Sequence, residues 1–276
     1  MIKELVNSSR PVAIYHEIMA DFTNSDVAVN CGQILMCDAG GATLHINFRP
    51  VSMQLGSIVM MRAGDIVRGS NATPDYAVTC LAYDASIMRE ASFRLETVVN
   101  EYLTRGFTII DSWAGTFFHR MVSLLEPVLA DIDLQGVRDI AVMQVRSFYL
   151  MCYHRYVLGQ KQLNAKSLRA DEIFGDFFAL LIANHQRERS VNFYARKLNI
   201  TPRYLNQTVT KATGHSAKQV IDDYVTAQLK LALQVTSKSI TEIAWQYNFE
   251  SLPFFSGYFK KRTGFTPQSF RSRCNL

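Results

Sequence analysis

The chain is poor in the residues that carry most reactive chemistry: 276 residues contain five cysteines and six histidines. Cys31, Cys37, Cys80, Cys152 and Cys274 form no Cys-x-x-Cys pair and their number is odd, which argues against a disulfide framework and against a zinc site. Reduced thiols and a cytoplasmic location are the expectation. No Gly-rich phosphate loop and no nucleophile elbow occur, so no catalytic constellation is indicated. Long apolar runs are also missing. The N-terminus, MIKELVNSSRPV, has no signal-peptide core. The longest apolar run, Phe177 to Ala183, falls far short of the ~18–20 residues that span a bilayer. No membrane partner, no metal, no cofactor and no enzymatic activity are expected.

What is present is unevenly placed. Residues 186–276 hold 14 Lys+Arg against 5 Asp+Glu, whereas residues 1–185 hold 15 against 19. A basic C-terminal third on a mildly acidic body points to a polyanion as partner for that third alone.

The same third carries a repeated pattern. Ile240, Ile243, Ala244 and Tyr247 recur at helical spacing. Asn248 can turn the chain through a left-handed residue, and Ser251 can cap a second helix. That helix is expected to face inward with Phe254, Phe255, Tyr258 and Phe259, to end on Lys260, Lys261 and Arg262, and to stop at Gly264. Helix, tight turn and helix with a basic end is the pattern of a helix-turn-helix. An earlier copy runs from Ser190 to Gly214. Ala195 and Asn199 match Ala244 and Asn248 at an offset of 49, and Thr213-Gly214 match Thr263-Gly264 at an offset of 50. The second turn is therefore one residue longer. Between the copies, Ala217 to Gln234 reads as a linker helix about 27 Å long, a rod able to hold two recognition helices roughly one DNA turn, ~34 Å, apart.

The stretch from Asp171 to Arg273 resembles the DNA-binding domain of the AraC/XylS family of bacterial transcription regulators. The residues that carry the resemblance are Ile243-Ala244 with Phe249, Phe255-Ser256-x-x-Phe259-Lys260, Gly264, Thr266-Pro267 and Phe270-Arg271. One departure is Asn248, where the family usually has Gly. The resemblance implies double-stranded DNA as partner, bound in the major groove. It also admits a small-molecule effector, a homodimer and RNA polymerase.

The N-terminal part reads differently. Leu44, Ile46 and Phe48 alternate with His45 and Asn47, as in a half-buried strand. Ile58 to Met61 and Val78 to Leu81 are short strand-like runs. Gly40-Gly41, Arg49-Pro50, Ala63-Gly64-Asp65 and Thr73-Pro74-Asp75 supply turns. A small β-barrel or sandwich is expected, and Met61 to Asp65 resembles a strand-turn of the cupin-like sensor domains of the same family. Metal-dependent cupins use a His-x-His pair, a carboxylate and a further His; here His45 stands alone and His16 is distant. From Ser86 the pattern becomes helical, with helices expected over Ser86–Thr104, over Thr116–Ala130 with a bend or break near Pro127, and from Asp133 to about Tyr156. The stripe of this last helix (Val137, Ile140, Ala141, Gln144, Val145, Phe148, Cys152, Tyr156) suits packing on its own core or against a second copy. The polar segment 159–170 is the expected boundary, and Asp171 is the expected start of the next helix.

The expected architecture is thus α+β. Residues 1–160 form a cupin-like sensor or dimerisation domain with helices. Residues 171–274 form an all-α domain with two helix-turn-helix motifs joined by a linker helix. In the first recognition helix, Thr201 caps, Pro202 starts the helix, and Leu205 and Val209 face inward. The outer face then presents Arg203, Asn206, Gln207 and Thr210 to base edges, with Lys211 toward phosphate. The second offers Leu252, Pro253, Ser256 and Gly257 by family analogy, so sequence readout there is expected to be poor, with Lys260, Lys261 and Arg262 as phosphate contacts. The function expected is a sequence-specific transcription regulator. An architectural DNA-binding protein of low specificity, or an enzyme fused to a DNA-binding domain, is the alternative.

Overall fold

The structure is a computed structural model and describes residue 6 and residues 10–18, 25–93, 108–110, 112–131, 133–159 and 165–274. The chain divides into two compact units, Met1–Gly175 and Asp176–Leu276.

Among the described residues the first unit holds nine strands: β1 (Val12–Ile18), β2 (Val27–Ala28), β3 (Gly32–Ala39), β4 (Gly41–Ile46), β5 (Arg49–Gln54), β6 (Ser57–Met61), β7 (Ile66–Ser70), β8 (Ala77–Tyr83) and β9 (Thr108–Ile110). They form two antiparallel sheets, ordered β1-β8-β3-β6-β9 and β2-β7-β4-β5. Of the two forms left open by the sequence, the sandwich of two sheets is the one adopted by the described residues.

The period-2 geometry of a strand explains why the central runs are apolar without alternation. Leu35, Cys37, Val59, Met61, Val78 and Cys80 join Leu44 and Met53 of the second sheet in one core. Their neighbours Ile34, Met36, Ile58, Met60, Leu81 and Tyr83 point the other way, under helices α1 (Ala85–Ser92), α2 (Ser112–Asp131) and α3 (Leu134–Gly159). The first sheet is thus covered on both faces. In β4 only Ala42 and Leu44 are buried, the alternation of a sheet with one solvated face.

Several boundaries differ from expectation. Phe48 does not continue the strand alternation: Asn47 and Phe48 have φ of 53° and 66° and form the two-residue turn between β4 and β5. Arg49-Pro50, expected as a turn, opens β5. Asn47 is buried because its side chain is satisfied, donating to Asp65 at 3.0 Å and accepting from the Ile66 amide at 2.9 Å. Helix α2 runs on through Pro127. The helix expected to Thr104 extends to Ser92, and residues 94–107 lie outside the described residues. Val137, Ala141, Val145, Phe148 and Cys152 of α3 are all buried in the unit's own core and Ile140 is half-buried against it, while the Tyr156 side chain lies outside the described residues.

Helix α4 (Ala165–Asn184) starts six residues before Asp171 and contains the division at 175/176. Its first turns, AKSLRA, are good helix formers, and propensity carries them without an apolar stripe. The second unit continues with α5 (Val191–Lys197), α6 (Pro202–Thr213), α7 (Ala217–Val235), α8 (Ile240–Gln246), α9 (Leu252–Thr263) and α10 (Pro267–Cys274). Helix α7 is the axis of this unit. Val220, Ile221 and Tyr224 are buried on it, and the Tyr224 ring meets Phe178 of α4 edge-on at 5.4 Å. Val225, Leu229 and Leu233 pack with Ile243, Ala244, Phe255 and Phe259 of the second copy.

Candidate nucleic-acid interface

The two copies are built by the same local devices. Thr201 accepts from the Tyr204 amide at 3.2 Å and Ser251 from the Phe254 amide at 3.3 Å, so each recognition helix, α6 and α9, is capped by a hydroxyl. Ser239 and Glu242 form a reciprocal capping box on α8. Asn199 and Asn248 hold φ of 53° and 50°, the left-handed turn between the two helices of each motif. Asn is among the few residues with a side chain that tolerate this region, which accounts for its standing where the family usually has Gly. Gly214 and Gly264, at φ of 77° and 80°, stop α6 and α9. Even the turn that follows repeats: Thr213 donates to the Val209 carbonyl at 2.8 Å and Thr263 to the Phe259 carbonyl at 2.8 Å.

At 100° per residue, the buried residues of each helix define its outer face. Leu205 and Val209 are fully buried in α6. Gln207 lies opposite them, flanked by Arg203, Tyr204, Thr210 and Lys211, all exposed. Tyr204 was not expected there; its position one residue after Arg203 is the signal that could have found it. Asn206 is turned to the side. It is exposed, but its Oδ1 accepts from the Ala217 amide at 3.0 Å and so joins α6 to the N-terminus of α7. Asn206 thus ties the two helices together as well as standing on the exposed side of α6. In the second copy Pro267 occupies the place of Ala217. It has no N–H to offer, and Ser256 stands where Asn206 does.

In α9, Phe255 and Phe259 are fully buried and Gly257 is outermost. A Cβ added at Gly257 would meet nothing within 4 Å, so no packing in the chain requires a glycine there. Pro253, Phe254, Lys260 and Lys261 flank it, exposed. Phe254 is 56% exposed, not inward as expected. Its bearing is about 100° from that of Phe255, too far round to share the core. Leu252 is also exposed, while Ser256 is half-buried to the side.

Arg262 also has partners within the unit. Its guanidinium pairs with Asp222 at 2.5 Å and with Asp223 at 3.2 Å, and lies 5.2 Å from the centre of the Tyr258 ring. Asp222 is buried on α7 and is also reached by Lys218 at 2.7 Å. Burial, with the Asp222 carboxylate, raises the Tyr258 phenol to about 12, so at neutral pH it is a hydroxyl that donates to the Asp222 carbonyl at 3.3 Å. Arg262 thus fastens α9 to α7. Lys260 and Lys261 beside it are exposed as well.

Arg189, before α5, is a second internal cation. Its guanidinium donates to the Tyr247 carbonyl and lies 4.0 Å from the centre of the Phe249 ring, both in the turn region of the second copy. Burial lowers its pKa, against the opposing pull of Tyr258 and Asp222. Asn248 donates to the Arg187 carbonyl at 3.5 Å. The start of one motif is therefore braced against the turn of the other.

Residues 194–273 match the HTH_18 family, described as a helix-turn-helix domain. This region is an AraC-type helix-turn-helix domain. Domains of this type are the DNA-binding part of AraC-type transcription regulators. No curated protein matches the chain. Among solved structures it is similar to an apo ToxT variant from Vibrio cholerae strain SCE256, at 14% identity over 96% of this chain and 98% of that one, with a TM-score of 0.48. It is also similar to unsaturated fatty acid-bound ToxT of the same strain, at 15% identity over 94% of each chain, with a TM-score of 0.47. An AraC-type regulator from Chromobacterium violaceum matches at 24% identity over 40% of this chain and 96% of that one, with a TM-score of 0.35.

Proposed function

We propose that this chain is a sequence-specific, DNA-binding transcription regulator that reads the major groove chiefly through α6 and holds phosphates through the end of α9. The observation that carries this reading is the outer face of α6, where Arg203, Gln207, Thr210 and Lys211 stand exposed opposite the buried Leu205 and Val209. Arg203 suits guanine and Gln207 suits adenine, each by a bidentate pair. Thr210 and Lys211 lie one turn on, toward the backbone. Asn206 supports this face from the side. Lys260 and Lys261 serve as phosphate contacts, and phosphate contacts fix register without carrying sequence.

On this reading the regulator works in the cytoplasm. Residues 171–274 are the DNA-binding module, and residues 1–160 supply control, by a small-molecule effector or by a homodimer. Because Val137, Ala141, Val145, Phe148 and Cys152 of α3 are spent on their own core, a homodimer draws mainly on another surface. RNA polymerase is the further protein partner that a regulator of transcription acts upon.

The test is selection of a binding site from random DNA by the full chain, followed by Arg203→Ala. The variant is expected to lose ~1–3 kcal/mol on the selected site and little on random DNA. Equal losses on both make Arg203 a phosphate contact, and a wild-type chain that selects no sequence defeats the reading in favour of an architectural protein.

A further inference from the structure

We propose that Phe254 reads thymine methyl groups in the major groove, so that the second module recognises sequence without a hydrogen-bonding side chain. The inference rests on the DNA-binding reading above and deepens it.

Phe254 is the third residue of α9 and 56% exposed. The N-terminal residues of a recognition helix are the ones that reach base edges. The ring of the buried Phe249 lies 6.3 Å from that of Phe254, and the Arg189 guanidinium lies 4.0 Å from the centre of the Phe249 ring. The exposed Phe254 ring thus has a buried aromatic neighbour, itself in contact with a guanidinium. Gly257 follows one turn later at the outermost position, with open space where a Cβ would be. A bare backbone there lets the helix approach a surface closely. Pro253 beside it offers no donor, and Ser256 is turned aside.

Lys260 and Lys261 lie on the same face. An apolar patch bordered by exposed lysines, in the position where the twin helix α6 presents Arg203 and Gln207, fits a polyanion with an apolar group in its groove. In the major groove only thymine offers one, its C5-methyl. The twin position to Phe254 is Tyr204, also an exposed aromatic at 43%. Burying one methyl against the ring corresponds to about fourfold in affinity.

Replacing thymine by deoxyuridine removes the methyl and nothing else. The probe is the DNA selected by the full chain, with single thymine-to-uracil changes in the half-site whose preferences survive Arg203→Ala. The wild type is expected to lose about fourfold at one or more of these thymines. Phe254→Ala should bind the thymine DNA less well and no longer distinguish uracil, and Phe254→Leu, which keeps an apolar contact, should still distinguish it. The proposal is overturned if the wild type binds thymine and uracil alike throughout this half-site, if the half-site contains no thymine, or if Phe254→Ala still discriminates. Failure of the regulator reading looks different: no sequence is then selected in either half-site.

Discussion

Lys260, Lys261 and Arg262 are adjacent in sequence, yet Arg262 is held by Asp222 and Asp223, and on the proposed reading the three divide between two tasks that salt and urea can separate. If Lys260 and Lys261 each meet a phosphate, replacing both by alanine removes two counterion-release contacts. The slope of log K against log salt then flattens by about 0.9 for each, close to 2 in all. Over a fourfold rise in salt this means that the variant's affinity falls about tenfold less than the wild type's. Arg262→Ala should leave that slope unchanged, because its guanidinium is committed to Asp222 and Asp223 at 2.5 and 3.2 Å. Its cost should appear in folding. Asp222 is only 5% exposed, and it loses one charge-assisted partner while keeping Lys218 at 2.7 Å. Such a bond contributes about 1.5–3 kcal/mol.

The assay uses the two tryptophans, one in each unit. With Trp113→Phe, the fluorescence of Trp245 alone reports on the second unit, and urea titration gives its stability by linear extrapolation. A slope that flattens with Arg262→Ala as much as with a lysine variant, together with an unchanged urea midpoint, would refute the assignment.

The stability of the second unit should fall as pH drops through about 6.5, the ordinary value for histidine, because burial holds the His185 imidazole below it. Hydrogen bonds to the Ile182 and Leu181 carbonyls oppose that shift in part. In that window the unfolded chain takes up a proton that the folded unit refuses, so stability is complete above it and declines below it. Urea titrations at pH 7.5 and 5.5 check this, and His185→Gln should lessen the difference. Asn248→Ala should destabilise the same unit by about 1 kcal/mol, because it keeps the Cβ in the left-handed region but loses the polar side chain that makes it tolerable and that donates to the Arg187 carbonyl, while Asn248→Gly, free of the Cβ, should cost less. The Trp245 urea midpoint ranks the two variants against the wild type.

What could be read from the sequence was what neighbouring residues decide among themselves. Caps at Thr201, Ser239 and Ser251, turns at Asn199 and Asn248 and stops at Gly214 and Gly264 are short-range backbone preferences, and their duplication at offsets of 49 and 50 made the pair of motifs legible. The inward faces at Leu205, Val209, Phe255 and Phe259 follow from helical period alone. In the first unit, the runs at Ile58 to Met61 and Val78 to Leu81 were legible as strands. Sequence alone did not say that both of their faces are covered, because that depends on a second sheet and three helices brought in from elsewhere in the chain.

The site divided along the same line. Arg203 and Gln207 needed only the helix period to be placed outward. The fates of Asn206 and Arg262 turned on partners 11 and 40 residues away, the Ala217 amide and Asp222. An amide or a guanidinium pairs with whatever the fold brings within about 3 Å, and nothing in the local spacing distinguishes Arg262 from Lys261 beside it. Phe254 is the same case reversed. An aromatic next to Phe255 suggested core, but the core on that side was already closed by Phe249, Phe255 and Phe259, and the remaining ring was left facing outward.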